Sequence, residues 1–224
     1  MPNHKPGSMS REQLIAALSD EIAPVRRVRP REGAALITFA TAIAGLGAIA
    51  IFGFWSGMIT GAASPFFWIG HGLLALVGAA STSALVASAL PRVGPRSCAP
   101  AWSGAMLAVL PLAALITLVS LEAGHDHGMD LQDTGLQYWE CALYGLAASL
   151  IVALAAIVHL RRGAPVAIER AGWLIGLASG SLGALAYGIT CPIDGFLHIA
   201  IWHVVPVFAA ALFWRMAAPP LIRW

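Results

Sequence analysis

Six times along this 224-residue chain, about 20 consecutive residues pass with almost no Asp, Glu, Lys or Arg, and this repetition constrains the fold more than any other feature. The runs are 33–55, 65–90, 101–121, 138–160 (with the single entry residue Glu140), 171–190 and 196–214. Each is long enough to cross, as a helix, a hydrocarbon core about 30 Å thick. Helices of a water-soluble bundle carry polar stripes at helical spacing, whereas these runs are apolar or small on every face. With 58% hydrophobic and 11% charged residues, the composition excludes an ordinary soluble domain. The expected fold class is all-α: a polytopic membrane protein with six transmembrane helices.

The basic residues orient it. Cytoplasmic segments retain Lys and Arg, and short translocated loops do not. Lys5, Arg11, Arg26, Arg27, Arg29 and Arg31 precede the first run, and Arg92 and Arg96 follow the second. Arg161, Arg162 and Arg170 separate the fourth from the fifth, and Arg215 and Arg223 follow the sixth. All 13 positive residues thus share one side, while the opposite loops carry Glu122, Asp126, Asp130, Asp133, Glu140 and Asp194. Both termini are expected in the cytoplasm. Residues 1–32 are polar and basic and lack a cleavage signal, so the first run is expected to act as its own insertion signal. The net charge of +2 expresses this basic inner face. Without aromatic and basic interleaving, no direct nucleic-acid partner is expected.

Four regions follow: a leader of turn formers at 1–9, a cytoplasmic helix with a basic segment at 10–32, a six-helix membrane domain at 33–216 and a cytoplasmic tail at 217–224. Ser10 and Gln13 have capping-box spacing, and Leu14, Ile15, Leu18 and Ile22 then recur on one face until Pro24. A helix of about 13 residues is marginal alone in water, so this apolar stripe needs a membrane surface, the body of the protein or a partner. Arg26 and Arg27 in the following basic run suit either anionic lipid headgroups or acidic protein residues.

Candidate chemistry gathers at the outer boundary. Cys141 opens the fourth run and Cys191 closes the fifth, whereas Cys98 lies at the inner face. Two outer thiols share an oxidising compartment, where they can form a disulfide or bind a soft metal as thiolates. His71, His198 and His203 lie at similar depth, and the loop after the third run adds His125 and His127, with Glu140 and Asp194 near by. Cys141, Cys191, His198, His203, His125 and His127 form an N and S ligand set suited to copper, zinc or cadmium, expected as a signal rather than an obligatory cofactor. A zinc hydrolase gains little support. His198 and His203 are five apart rather than four on one helix, and no intramembrane carboxylate stands ready as a base. The alternative is a membrane metal-binding protein or metal-dependent hydrolase built on the same cluster.

The segment Leu14-Ile15-x-x-Leu18 leading to Pro24-Val25-Arg26-Arg27, the inner loop Arg161-Arg162-Gly163-Ala164-Pro165, and Cys141 paired with Cys191-Pro192 resemble the NrsF family, bacterial inner-membrane anti-sigma factors. The resemblance extends from about Arg11 to Arg223-Trp224. It implies a multi-pass inner-membrane regulator, not an enzyme, that holds an extracytoplasmic-function sigma factor of the sigma-F type through residues 10–31. It also implies that Cys141 and Cys191 are an outward-facing sensor pair for metal or oxidant stress. Leu14, Ile15, Leu18, Ile22, Arg26 and Arg27 are then the expected sigma-factor contacts, with membrane lipid as the other partner.

Overall fold

The computed structural model describes residues 10–20, 28–90, 97–122 and 135–222, and among them there are helices and no strands. The first helix, α1 (Arg11–Asp20), is opened by the expected capping box. Ser10 N–H donates to Gln13 Oε1 (2.9 Å) and Gln13 N–H donates to Ser10 Oγ (3.2 Å), satisfying two orphan donors reciprocally. None of its residues is buried, and Leu14, Ile15 and Leu18 are each about half exposed.

α2 (Pro30–Phe52) starts three residues before the expected boundary. Pro30 occupies the first helical turn, where its missing N–H costs nothing, and Glu32 lies where the helix dipole favours negative charge. It ends at Gly53, whose φ of 83° a side chain would resist. After the single turn α3 (Gly57–Thr60), Ser64 caps α4 (Pro65–Ser88) by accepting from Phe67 N–H. Then come α5 (Ala99–Glu122), α6 (Glu140–Arg161), α7 (Ile168–Gly188) and α8 (Phe196–Ile222).

Successive long helices run in opposite directions. At one end Ala164 N–H donates to Ala89 O (3.0 Å), Arg170 Nη2 donates to Ser97 O (2.9 Å) and Arg215 approaches Glu169 (3.8 Å). At the other, Trp55 N–H donates to Ile189 O (3.2 Å) and Ser64 binds Asp194. The described arginines of the bundle therefore collect at one rim.

Five helices, α2, α4, α5, α6 and α8, are long and apolar enough to cross a membrane. Phe39, Leu46, Ile51, Trp102, Ile116 and Leu154 are 61–75% exposed on their outer faces, a belt suited to lipid and costly in water. The remaining long helix, α7, owes its lower hydropathy to Gly and Ser. Those residues have a packing use: 14 of its 21 residues are buried, and it forms the centre against α2, α4, α6 and α8. At Gly183 a Cβ would lie 2.5 Å from Ser149 Cα of α6, and at Gly176 it would run into Ala211 Cα of α8. Small residues let these backbones approach where hydrophobic expulsion from water is not available.

α8 is not uniform. Residues Ile199–Val204 form a π-helical turn within it. Pro206 follows, bringing no N–H to the ladder and crowding the carbonyl four residues back, a disturbance that a widened turn absorbs.

Candidate functional site

The π turn brings together two histidines that stand five apart on one helix. In a regular α-helix, residues five apart point about 140° from each other. A turn closed from residue i to i+5 brings them back to one side, and their ring centroids lie 5.3 Å apart. Both face the mouth of α6 and the end of α7.

Cys141 sits in the first turn of α6, buried against Tyr187 of α7. Cys191 lies in the connection between α7 and α8. Their sulfurs are 3.7 Å apart and both are free thiols. Cys191 Sγ is 3.4 Å from His198 Nε2, and Tyr187 O–H donates to Cys141 Sγ at 3.5 Å. Contact with Cys141 first, and burial second, push the Cys191 thiol up from its ordinary value.

Ligand atoms of Cys141, Cys191, His198 and His203 all lie within 4.8 Å of one another, and all four residues are buried. A tetrahedral site with metal–sulfur bonds of about 2.3 Å sets its sulfurs about 3.8 Å apart, close to the spacing here. His198 Nδ1 is 2.9 Å from Gly135 O. A carbonyl only accepts, so Nδ1 carries the proton and Nε2 presents its lone pair to the cluster, the arrangement metal-binding histidines use. Both ring nitrogens of His203 are buried without a hydrogen-bond partner. Leaving them so costs about 1–3 kcal/mol, and coordination by one nitrogen would relieve part of it. The donor set thus fits a soft divalent or monovalent metal ion.

Of the six residues expected to bind metal, four converge; His125 and His127 lie outside the described residues. Of the expected sigma-factor contacts, Leu14, Ile15 and Leu18 are exposed on α1, while Ile22, Arg26 and Arg27 are outside the described residues. Two outer carboxylates do not join the cluster. Glu140 is exposed, and Asp194 ties the loop carrying Cys191 to the start of α4, its Oδ2 accepting from Ser64 N–H (2.6 Å) and its carbonyl from Ser64 Oγ (2.7 Å). His71 stays behind the cluster, stacked on Phe67 with its ring 5.7 Å from that of His203. Sequence reasoning missed Tyr187 and the supporting carbonyls: Gly135 holds His198, and Leu136 accepts from Trp202 Nε1–H at 3.1 Å. No spacing announces such contacts.

Membrane-length helices, a buried thiol–imidazole cluster at the rim opposite the arginines of the bundle, and an exposed helix ahead of it in sequence define the class: a helical protein of membrane type with a buried Cys and His cluster at one end. The chain belongs to the family described as "NrsF: Negative regulator of sigma F", which matches residues 18–224. It is a family of regulators rather than enzymes, which leaves the hydrolase alternative without support. A "Probable anti-sigma-F factor NrsF" of Azospira oryzae is 26% identical over 162 residues, covering 71% of this chain and 73% of that protein. An "Anti-sigma-F factor NrsF" of Caulobacter vibrioides is 32% identical over 90 residues, covering 40% of this chain and 42% of that protein. No solved structure matches the chain.

Proposed function

We propose that this chain is a six-span inner-membrane anti-sigma factor with both termini in the cytoplasm, holding an extracytoplasmic-function sigma factor of the sigma-F type through residues 10–31. The observation that carries the reading is α1, none of whose residues is buried and whose Leu14, Ile15 and Leu18 are exposed, in a chain of the sigma-F regulator family. An amphipathic helix of this kind lays its apolar residues into a groove, with Ile22 extending the stripe and Arg26 and Arg27 pairing with acidic groups beside it. Sequestration keeps the sigma factor from polymerase.

Release is triggered at the opposite face. A soft metal ion such as copper, zinc or cadmium would be held by Cys141, Cys191, His198 and His203, with His125 and His127 as further donors from the loop. The two thiols lose their protons on binding. An oxidant acts on the same pair: hypochlorous acid takes two electrons and two hydrogens from the thiols, a disulfide forms, and chloride, a proton and water leave. Either event draws α6, α7 and α8 together at that end and favours a second packing of the bundle. α6 supplies the connection, because its other end carries the buried His159, packed against Gly33 in the first turn of α2, next to the docking segment.

Pull-down of the sigma factor tests docking. Leu14→Asp/Leu18→Asp and Arg26→Glu/Arg27→Glu are each expected to reduce its recovery at least tenfold. Full recovery with both double variants contradicts docking by residues 10–31.

A further inference from the structure

Between α2 and α4 lies a cavity of about 650 Å³ that the function proposed above does not use. The two helices meet over only part of their length, since each packs more extensively on α7, and the slot left between them is floored by Leu182 and Leu185. Its α2 wall runs from Arg31 to Ala42 and its α4 wall from Val86 back to Ala75. At 1.5 Å per residue each wall is about 16 Å long, the depth of one leaflet of a core about 30 Å thick. Ala79 and Gly78 keep the α4 wall low, so the slot is open sideways to lipid.

Its polar groups are graded by depth. Arg31, exposed at the rim, marks headgroup level and forms no ion pair among the described residues. One helical turn below Val86 on the other wall, Thr82 Oγ1 is buried without a hydrogen-bond partner. Beyond it the lining is mostly apolar, with Thr38 and Thr41 on the α2 wall, and the Thr41 hydroxyl is already satisfied by donating to Ile37 O (2.9 Å). A cation, then a hydroxyl needing an acceptor, then a hydrocarbon slot one leaflet deep is the order of phosphate, ester carbonyl and acyl chain in a phospholipid.

We propose that this slot holds one acyl chain of an anionic phospholipid, with its phosphate on Arg31 and an ester carbonyl accepting from Thr82. The lipid belongs to the inner leaflet, which rests on the orientation proposed above. Its headgroup lies where the docking segment enters α2, so it fixes the point from which that segment reaches the partner.

The test is native mass spectrometry of the full chain released from detergent, titrated with phosphatidylglycerol and phosphatidylcholine of equal chain length. The wild-type chain is expected to bind one phosphatidylglycerol with a clear preference over phosphatidylcholine. Arg31→Gln, at an exposed position that leaves the bundle intact, lowers that preference about fivefold. Ala79→Phe fills the slot and abolishes tight binding of both lipids, with thermal midpoints reported alongside. Equal binding of both lipids by the wild type, or an unchanged preference in Arg31→Gln, overturns the proposal. So does a slot-filling variant that converts a dimer to a monomer without altering lipid, since the occupant is then a second copy, or one that displaces α1 instead. Cys98, exposed at the Arg31 end, separates this from the orientation. Labelling of Cys98 by an impermeant maleimide in spheroplasts before lysis overturns the orientation alone, because lipid selectivity in detergent does not depend on it.

Discussion

Asp194 shows how one residue organises the candidate sensor without belonging to it. Its carboxylate and its own carbonyl both hold Ser64, so the loop bearing Cys191 is pinned to the cap of α4. Losing a charge-assisted bond to a partly buried N–H costs about 1–3 kcal/mol. Asp194→Ala is therefore expected to lower the thermal midpoint in detergent and to loosen Cys191, raising its rate of alkylation severalfold. Asp194→Asn, which keeps an acceptor, should recover most of both; an alkylation rate unchanged in Asp194→Ala contradicts the pinning. From the sequence Asp194 was legible only as one more outer carboxylate. Its partner is 130 residues away in the chain, and no local pattern encodes such a pairing. Cys141 and Cys191 were legible because a charge count alone assigns them to one face.

At the scale of elements, the regular parts of the fold were legible and the irregular part was not. Ser10 and Gln13 announced the start of α1, and runs of apolar residues announced the long helices, because capping and hydropathy are local properties. His198 and His203 are expected in one ligand set, but how residues five apart reach one site is not legible from their spacing, because a regular helix would point them about 140° apart and the π turn in α8 does not. Pro206 was the available signal. Pro206→Ala restores an N–H and is expected to regularise α8, leaving thermal stability equal or higher while weakening cadmium binding at least tenfold in titrations of the purified chain. Unchanged cadmium affinity would remove the π turn from the site. The Gly and Ser content of α7 likewise lowers its hydropathy while making it the most enclosed helix, so polarity along that element reports close packing rather than exposure.

At the scale of the molecule, the two ends are joined by helices that span the whole bundle. Cys141 and His159 lie on α6 eighteen residues apart, about 27 Å, so a shift at the thiol cluster reaches Gly33 through one rigid element. Gly33 has no room for a side chain beside His159, which makes this contact sensitive to small displacements. Chemistry at Cys141 and Cys191 is proposed to control what residues 10–31 hold on the far side. The most direct measurement is co-purification of the chain with its sigma factor in detergent, with and without cadmium, for the wild type and for Cys141→Ser and Cys191→Ser. Cadmium is expected to release the sigma factor from the wild type and to leave it bound to both variants. Release from all three, or from none, contradicts that control.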